Sequence, residues 1–296
     1  MPGDDPRTIS LPDGRTLAFA EYGDPDGYPI LFFHGTPGSR LGARMLADAA
    51  SELDLRIVAP DRPGIGESDG DSRRSLLDWP ADVSALLDAL SIADVGIVGF
   101  SAGGPYALAC AHELPDRVAG VSLVSTVGPS ESLDPADIRS QFVYATLSHA
   151  PWLVRGPYRA ISYLARSDRG RLRRVMTANA SPADTELLKT GTGDIVFDDF
   201  AEAFAQGTSG AAHDTSLLAR SWDFDLEDVT VPVSLWHGRN DQTIPASVAS
   251  RTAEALPASK CSLLDAEGHF STLRTADEAI CWQATRRGRA VAPLDD

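Results

Sequence analysis

Val95-Gly96-Ile97-Val98-Gly99-Phe100-Ser101-Ala102-Gly103 is an apolar run that ends on a serine between two glycines, and an alanine-rich stretch from Pro105 to Leu114 follows it. The run reads as a buried strand and the stretch as a helix, so the serine falls on the corner between them. Such a corner leaves little room for neighbouring side chains. Gly99 and Gly103 meet that demand, while a helix beginning near Ala102 presents unpaired N–H groups. A serine oxygen held there projects into the open, as a nucleophile must.

A serine hydroxyl is a weak nucleophile at neutral pH, so it needs a base, usually a histidine, whose tautomer is held by a carboxylate. Both groups follow in the chain. Val233 to His237 reads as a buried strand, and the loop Gly238-Arg239-Asn240-Asp241-Gln242-Thr243-Ile244-Pro245 places Asp241 just past its end. Lys260 to Leu264 reads as another strand, and Glu267-Gly268-His269-Phe270 puts His269 on the next loop. Asp223, Asp225 and Asp228 also compete for the acid role, but they precede the strand and so lie at its wrong end. The order serine, acid, histidine is that of one particular scaffold.

On these residues the chain resembles the α/β-hydrolase fold superfamily, from about Thr8 to about Ala284. Ile30-Leu31-Phe32-Phe33-His34-Gly35-Thr36-Pro37-Gly38 resembles the family's His-Gly segment, and Asp61-Arg62-Pro63-Gly64-Ile65-Gly66-Glu67-Ser68 its loop after the fourth strand. The resemblance implies an oxyanion hole made by the backbone N–H groups of Thr36 and Ala102. It also implies a serine-nucleophile branch, since relatives resembling haloalkane dehalogenases and epoxide hydrolases carry Asp where this chain has Ser101. Because both donors are main-chain groups, replacing the Thr36 side chain is expected to be mild. His34 beside that loop reads either as a group that touches substrate or, preferred here, as a structural hydrogen-bonding group that holds the loop.

Alternation of strands and helices predicts an α/β fold with a mostly parallel, doubly wound sheet. Thr8 to Leu11 and Arg15 to Tyr22 form a hairpin, Leu41 to Leu53 and Leu76 to Leu90 form helices, and Val118 to Val124 is the strand after the nucleophile helix. From Gly128 to Asp228 the pattern turns to helix after helix: Asp137 to Ala150, Trp152 to Ala165, Asp168 to Ala178, Pro182 to Lys189, Ile195 to Ala205 and Ala211 to Trp222. The expected organisation is a core of residues 1–127 and 229–296 with a helical cap of residues 128–228. Phe142, Tyr144, Trp152, Tyr158 and Tyr163 are candidates to line the cap's pocket, and the tail from Arg286 to Asp296 is expected to be loose.

Composition narrows the function classes. The 296 residues carry a formal charge of −16 and are 43% hydrophobic, which suits a large buried core and opposes binding to phosphate backbones. Lysine is represented only by Lys189 and Lys260, a bias that either a high-salt host or a GC-rich genome would produce. No run is long and apolar enough to span a bilayer, and the first residues lack the pattern of a secretion signal. Cys110, Cys261 and Cys281 are an odd set without metal-like spacing, so reduced thiols in a cytoplasmic protein are expected. Gly64-Ile65-Gly66 lacks the third glycine of a dinucleotide fingerprint, and no metal or other cofactor is expected. The arginines at 166, 169, 171, 173 and 174 could bind an anionic substrate group, but a solvated cap face is the preferred reading.

The expectation is a serine hydrolase that acts through an acyl-enzyme on a small, ester-like substrate with an apolar part, with Ser101, Asp241 and His269 as its triad. Carbon–carbon bond, amide or lactone hydrolysis and peroxyacid formation use the same groups. A ligand-sensing protein with slow or no turnover is the reading from another class. Spacing says nothing of oligomeric state.

Overall fold

The computed structural model describes residues 5–133, 145–275, 278–280 and 282–283. The chain builds an eight-stranded sheet: β1 (Arg7–Ser10), β2 (Thr16–Gly23), β3 (Tyr28–Phe33), β4 (Leu55–Pro60), β5 (Val95–Phe100), β6 (Val118–Val124), β7 (Val233–Gly238) and β8 (Ser259–Leu264). Their spatial order is β1-β2-β4-β3-β5-β6-β7-β8. The hairpin β1–β2 and the pair β2–β4 are antiparallel, and every other pairing is parallel. This is the mostly parallel α/β sheet that the sequence pattern predicts.

Strands buried on both faces should read as unbroken apolar runs, and β5 and β7 are buried throughout. Their side chains alternate between two cores. Leu31, Phe33, Ile97 and Leu123 face one layer with α2 (Trp79–Ala89) and α3 (Gly103–Glu113); Ile30, Phe32, Val98 and Val124 face the other with α1 (Ala47–Glu52). In α3 every residue from Gly103 to Ala111 is buried. Gly103 is required by contact: a Cβ there would lie 2.0 Å from the Phe33 carbonyl oxygen. That close approach seats α3 against the end of β3.

One helix departs from expectation. In place of an α-helix over Leu41–Leu53, a 3₁₀ segment covers Arg40–Leu46 and α1 follows it. Ser39 caps that segment through its side chain, and Gly42, a poor helix former, lies against the Asp199 carboxylate.

Between β6 and β7 the chain forms α4 (Arg155–Ser167), α5 (Arg169–Thr177), α6 (Pro182–Leu187), α7 (Gly191–Ala203) and α8 (Ser209–Leu218), with no strand among the described residues. The expected helix over Asp137–Ala150 lies in part outside the described residues, though 145–149 are helical; Phe142, Tyr144, Cys281 and the Arg286–Asp296 tail lie outside them entirely. The inserted helices have their own small core around Leu172, Leu187, Phe197 and Phe200. After β7, α9 (Ala246–Ala255) returns the chain to β8, and a 3₁₀ turn over Ser271–Thr275 follows the β8 loop.

Candidate active site

All parallel strands end on one edge of the sheet, and loops leaving that edge carry Thr36, Ser101, Asp241 and His269. Ser101 follows β5 directly and has φ +52°, the left-handed region that a non-glycine residue occupies at a cost of roughly 1–3 kcal/mol. The surrounding packing holds it there: its N–H donates to the Val124 carbonyl at 2.9 Å and its carbonyl accepts from Gly104 at 3.2 Å. The side chain is thereby directed away from the sheet, only 8% exposed.

Asp241 follows β7 in a turn closed by its own N–H on the Gly238 carbonyl, 3.2 Å. Its Oδ1 accepts the N–H groups of Thr243 and Ile244 at 2.7 and 2.8 Å, which leaves Oδ2 for the loop after β8. There the His269 Nδ1–H donates to Oδ2 at 2.8 Å, and on the far side of the ring Nε2 lies 3.1 Å from the Ser101 oxygen. With Nδ1 carrying the proton, Nε2 is the acceptor for the serine hydroxyl. The three residues, separated by up to 168 positions in the chain, form one continuous hydrogen-bonded line.

Burial alone would raise the Asp241 carboxyl, but the His269 imidazole and the hydrogen bonds from His237, His269 and the Ile244 N–H hold it well below the usual carboxylate range. His237, fully buried at the end of β7, puts its Nε2 3.0 Å from the Ile244 carbonyl and 3.3 Å from Asp241 Oδ2. The sequence marked His237 as a strand residue only. Asp223, Asp225 and Asp228 precede β7 and stay at the opposite edge.

Beside Ser101 in the pocket, Thr36 follows β3 and Ala102 follows Ser101 itself. Among the described residues neither backbone N–H has a hydrogen-bond partner, and both residues line the same pocket as Ser101. The loop carrying Thr36 is tied down from below. His34 donates from Nδ1 to the Gly35 carbonyl at 2.8 Å and accepts the Arg62 N–H on Nε2 at 3.2 Å, so its ring is neutral, and burial followed by the nearby Arg62 cation keeps its pKa well below the ordinary value. The Arg62 guanidinium donates to the carbonyls of His34 and Gly35 at 2.5 and 2.9 Å and to the Thr36 hydroxyl at 2.8 Å.

Arg62 in turn meets Asp214 of α8, which is fully buried. Asp214 Oδ2 accepts from Arg62 Nε at 2.8 Å and from the Thr36 hydroxyl at 3.2 Å, while Oδ1 accepts from Arg74 and, at 2.9 Å, from Tyr106. Desolvation would raise this carboxyl, yet the Arg62 and Arg74 cations outweigh it and hold the pKa far down. Nothing in the sequence flagged Asp214; a carboxylate on a helix looks like a solvated one until its partners are known.

Over Ser101 lies a pocket of about 560 Å³, lined by Val127, Leu133, Leu147, Leu218, Ile244 and Val248 among others, with the Tyr158 and Thr215 hydroxyls bonded to each other at 2.7 Å. Asp241 is the only ionisable acid or base among the described lining residues apart from the Tyr158 phenol. Of the aromatics proposed as lining, Tyr158 reaches the pocket, whereas Trp152 and Tyr163 are 64% and 69% exposed. No cluster of His, Cys, Asp and Glu that could hold a metal occurs among the described residues, and no described helix is long and apolar enough to cross a membrane.

Known proteins resemble this chain in sequence and in fold. A non-heme chloroperoxidase of Streptomyces lividans is 30% identical over 84% of this chain and 87% of its own. A 2-hydroxymuconate semialdehyde hydrolase of Pseudomonas putida is 26% identical over 85% and 84%. The crystal structure of an esterase from a Rhodococcus species superposes with a TM-score of 0.67 over 97% of this chain and 99% of that one, at 23% identity, a likeness of fold. The family model for the alpha/beta hydrolase fold matches residues 28–274, and with the strand order and the strand-to-helix corner described above, the chain belongs to the alpha/beta hydrolase fold family.

Proposed function

We propose that the protein is a serine hydrolase that cleaves small, uncharged carboxylic esters through an acyl-enzyme, with residues 128–228 serving as the cap over its pocket. The observation that carries this reading is the hydrogen-bonded line Asp241–His269–Ser101, at 2.8 and 3.1 Å, opening into the apolar pocket. As the Ser101 oxygen attacks the acyl carbon, His269 Nε2 takes its proton, and Asp241 stabilises the imidazolium without taking a proton itself. Negative charge then grows on the carbonyl oxygen. The free N–H groups of Thr36 and Ala102 are the donors for it, and such a donor is worth about 3 kcal/mol of barrier.

His269 returns the proton to the leaving alcohol, then activates water to release the acid and regenerate Ser101. The lining favours an apolar acyl or alcohol group, because a charged substrate would be desolvated there without a described counter-ion. Two measurements test the reading. A fluorophosphonate should label Ser101 and short p-nitrophenyl esters should be turned over, and both should vanish in Ser101→Ala. A wild-type protein that folds but leaves the reagent and a panel of such esters untouched would sink it.

A further inference from the structure

The line of three residues depends on where the His269 backbone sits, and one side chain from the inserted helices sets that. Asp184, on α6, is 2% exposed and reaches across to the loop after β8. Its Oδ2 accepts the N–H of His269 at 2.9 Å, and its Oδ1 accepts those of Phe270 and Ser271 at 2.9 and 2.8 Å. The N–H groups of Phe270 and Ser271 open the 3₁₀ turn Ser271–Thr275 and have no partner within it, and that of His269 comes just before them. A residue next to the turn in sequence would normally cap them. Here the cap comes from 85 to 87 positions away, on another layer of the molecule.

Local sequence does not require this. Ser181 and Asp184 have the spacing of a capping box, in which the acid would turn back to the Ser181 N–H. Only half of the box forms: the Ser181 oxygen accepts from the Asp184 N–H at 3.0 Å, and the carboxylate goes to the histidine loop instead. The core side is shaped to receive it. A Cβ at Gly268 would lie 2.2 Å from both Asp184 Oδ2 and Ser181 Oγ, so only glycine lets the two segments close. Gly268 N–H donates to Ser271 Oγ at 2.7 Å and Thr272 Oγ1 donates to the Gly268 carbonyl at 2.5 Å, which ties off the polar groups flanking the three that Asp184 takes.

We infer that Asp184 is a positioning residue for the proposed hydrolysis: by holding the backbone of His269, Phe270 and Ser271 it aligns the imidazole between Asp241 and Ser101, so docking of the cap and alignment of the base are one event. The inference rests on the hydrolase reading for its consequence in turnover, and on the three backbone bonds for its geometry. Charge-assisted bonds to backbone N–H are the stronger kind, and three of them converging on one loop leave it little freedom. A base displaced by about 1 Å can cost a hundredfold in rate.

The experiment compares Asp184→Asn with Asp198→Asn in the full chain. Asp198 also joins the inserted helices to the core, through Arg44 at 3.1 Å, but touches no loop that carries a site residue. The readouts are kcat and KM on a p-nitrophenyl ester, the rate of Ser101 labelling by a fluorophosphonate, the thermal midpoint, and the NMR resonance of the His269 Nδ1 proton. In Asp184→Asn one acceptor becomes an N–H donor facing N–H groups, so kcat and the labelling rate should both fall by about a hundredfold. KM should change little and the Nδ1 resonance should broaden or disappear, whereas Asp198→Asn should keep all of these at wild-type values.

Should Asp184→Asn fail to fold, Gly268→Ala displaces the carboxylate from the core side without removing it and should show the same pattern. Wild-type kcat and an intact Nδ1 resonance in Asp184→Asn would overturn the inference, as would an equal loss in Asp198→Asn, since either makes Asp184 no more than a contact between layers. An inert wild type would instead remove the hydrolase reading, and the Nδ1 resonance would still decide what Asp184 does to the histidine.

Discussion

The inserted helices and the sheet's carboxyl edge meet through opposite chemistry. From the helices come carboxylates: Asp184, Asp199, Glu202 and Asp214. The sheet loops answer with Arg40, Arg62 and Arg74 and with the N–H groups of Ser39, His269, Phe270 and Ser271. Apolar contact would hold the layers together without fixing their register, because it is not directional. Hydrogen-bonded carboxylates do fix it, and each one here ends on or beside a loop that bears a site residue.

Two of these acids show what the difference in partners does. Asp214 and Asp199 are both buried, and burial pushes both carboxyls up. Arg62 and Arg74 flank Asp214 and reverse the effect. Among the described residues Asp199 has no cation beside it, only the Ser39 N–H and hydroxyl, at 2.7 and 2.8 Å, and a weaker bond from the Gly42 N–H, with Asp61 close enough to add repulsion, so burial wins and its pKa is pushed up to about 7. One junction therefore holds a permanent anion, the other an acid that titrates near neutrality.

The largest effect should fall on the sheet edge itself. Asp241→Asn keeps the shape of the turn but not the anion that orients His269, and kcat should fall by about 10⁴-fold with the urea midpoint nearly unchanged. Next in size is Asp214→Asn, which leaves Arg62 and Arg74 buried without their counter-ion. A loss of about 3–5 kcal/mol in unfolding free energy is expected, measured by urea denaturation. If the loss were within the scatter of surface substitutions, the junction would not depend on charge.

These two acids also differ in how far the sequence reveals them. Asp241 sits one turn beyond a strand buried along its whole length, and Ser101 and His269 likewise follow strands with a glycine within two positions, so each is marked by its near neighbours. Strand positions are legible for the same reason, since burial on both faces writes itself as a contiguous run. Asp184, Asp199 and Asp214 lie on helices of the insertion, where a charged residue ordinarily means solvent. Their partners lie far off in sequence, 152 positions for Arg62 with Asp214 and 160 for Ser39 with Asp199, and no local pattern encodes such a pairing. His237 was legible as buried, but its approach to Asp241 depends on how the turn after β7 folds back.

The titrating acid gives a smaller and conditional effect. Folded, Asp199 keeps its proton up to about pH 7, while the unfolded chain gives it up near the ordinary 3.8. Between those values the native state binds more protons, so stability should fall as pH rises through the window, by at most about 1.4 kcal/mol per pH unit for one proton. Asp61, pushed up to about 6 by burial against the pull of Arg40, contributes in the same direction over a narrower range. In Asp199→Asn, which mimics the protonated acid, the slope of unfolding free energy between about pH 5 and 7 should flatten. An unaltered slope would assign the proton to Asp61 or elsewhere.

Thr36 tests the comparison at its finest grain, because its two halves belong to different regions. Its N–H is the proposed oxyanion donor, a property of the backbone after β3. Its hydroxyl belongs to the junction, donating to Asp214 and accepting from Arg62. Thr36→Ala removes only the second half: Arg62 keeps the carbonyls of His34 and Gly35, and Asp214 keeps both arginines and Tyr106. Losing one hydroxyl from so redundant a cluster should cost about 1 kcal/mol of stability. The main-chain donor stays, so kcat should fall by less than about tenfold, well short of the roughly hundredfold or greater loss that removal of an oxyanion donor brings. A deeper fall in kcat at unchanged stability would mean that the hydroxyl itself touches the reacting carbonyl, and the line between the two regions would have to be drawn through the side chain rather than beneath it.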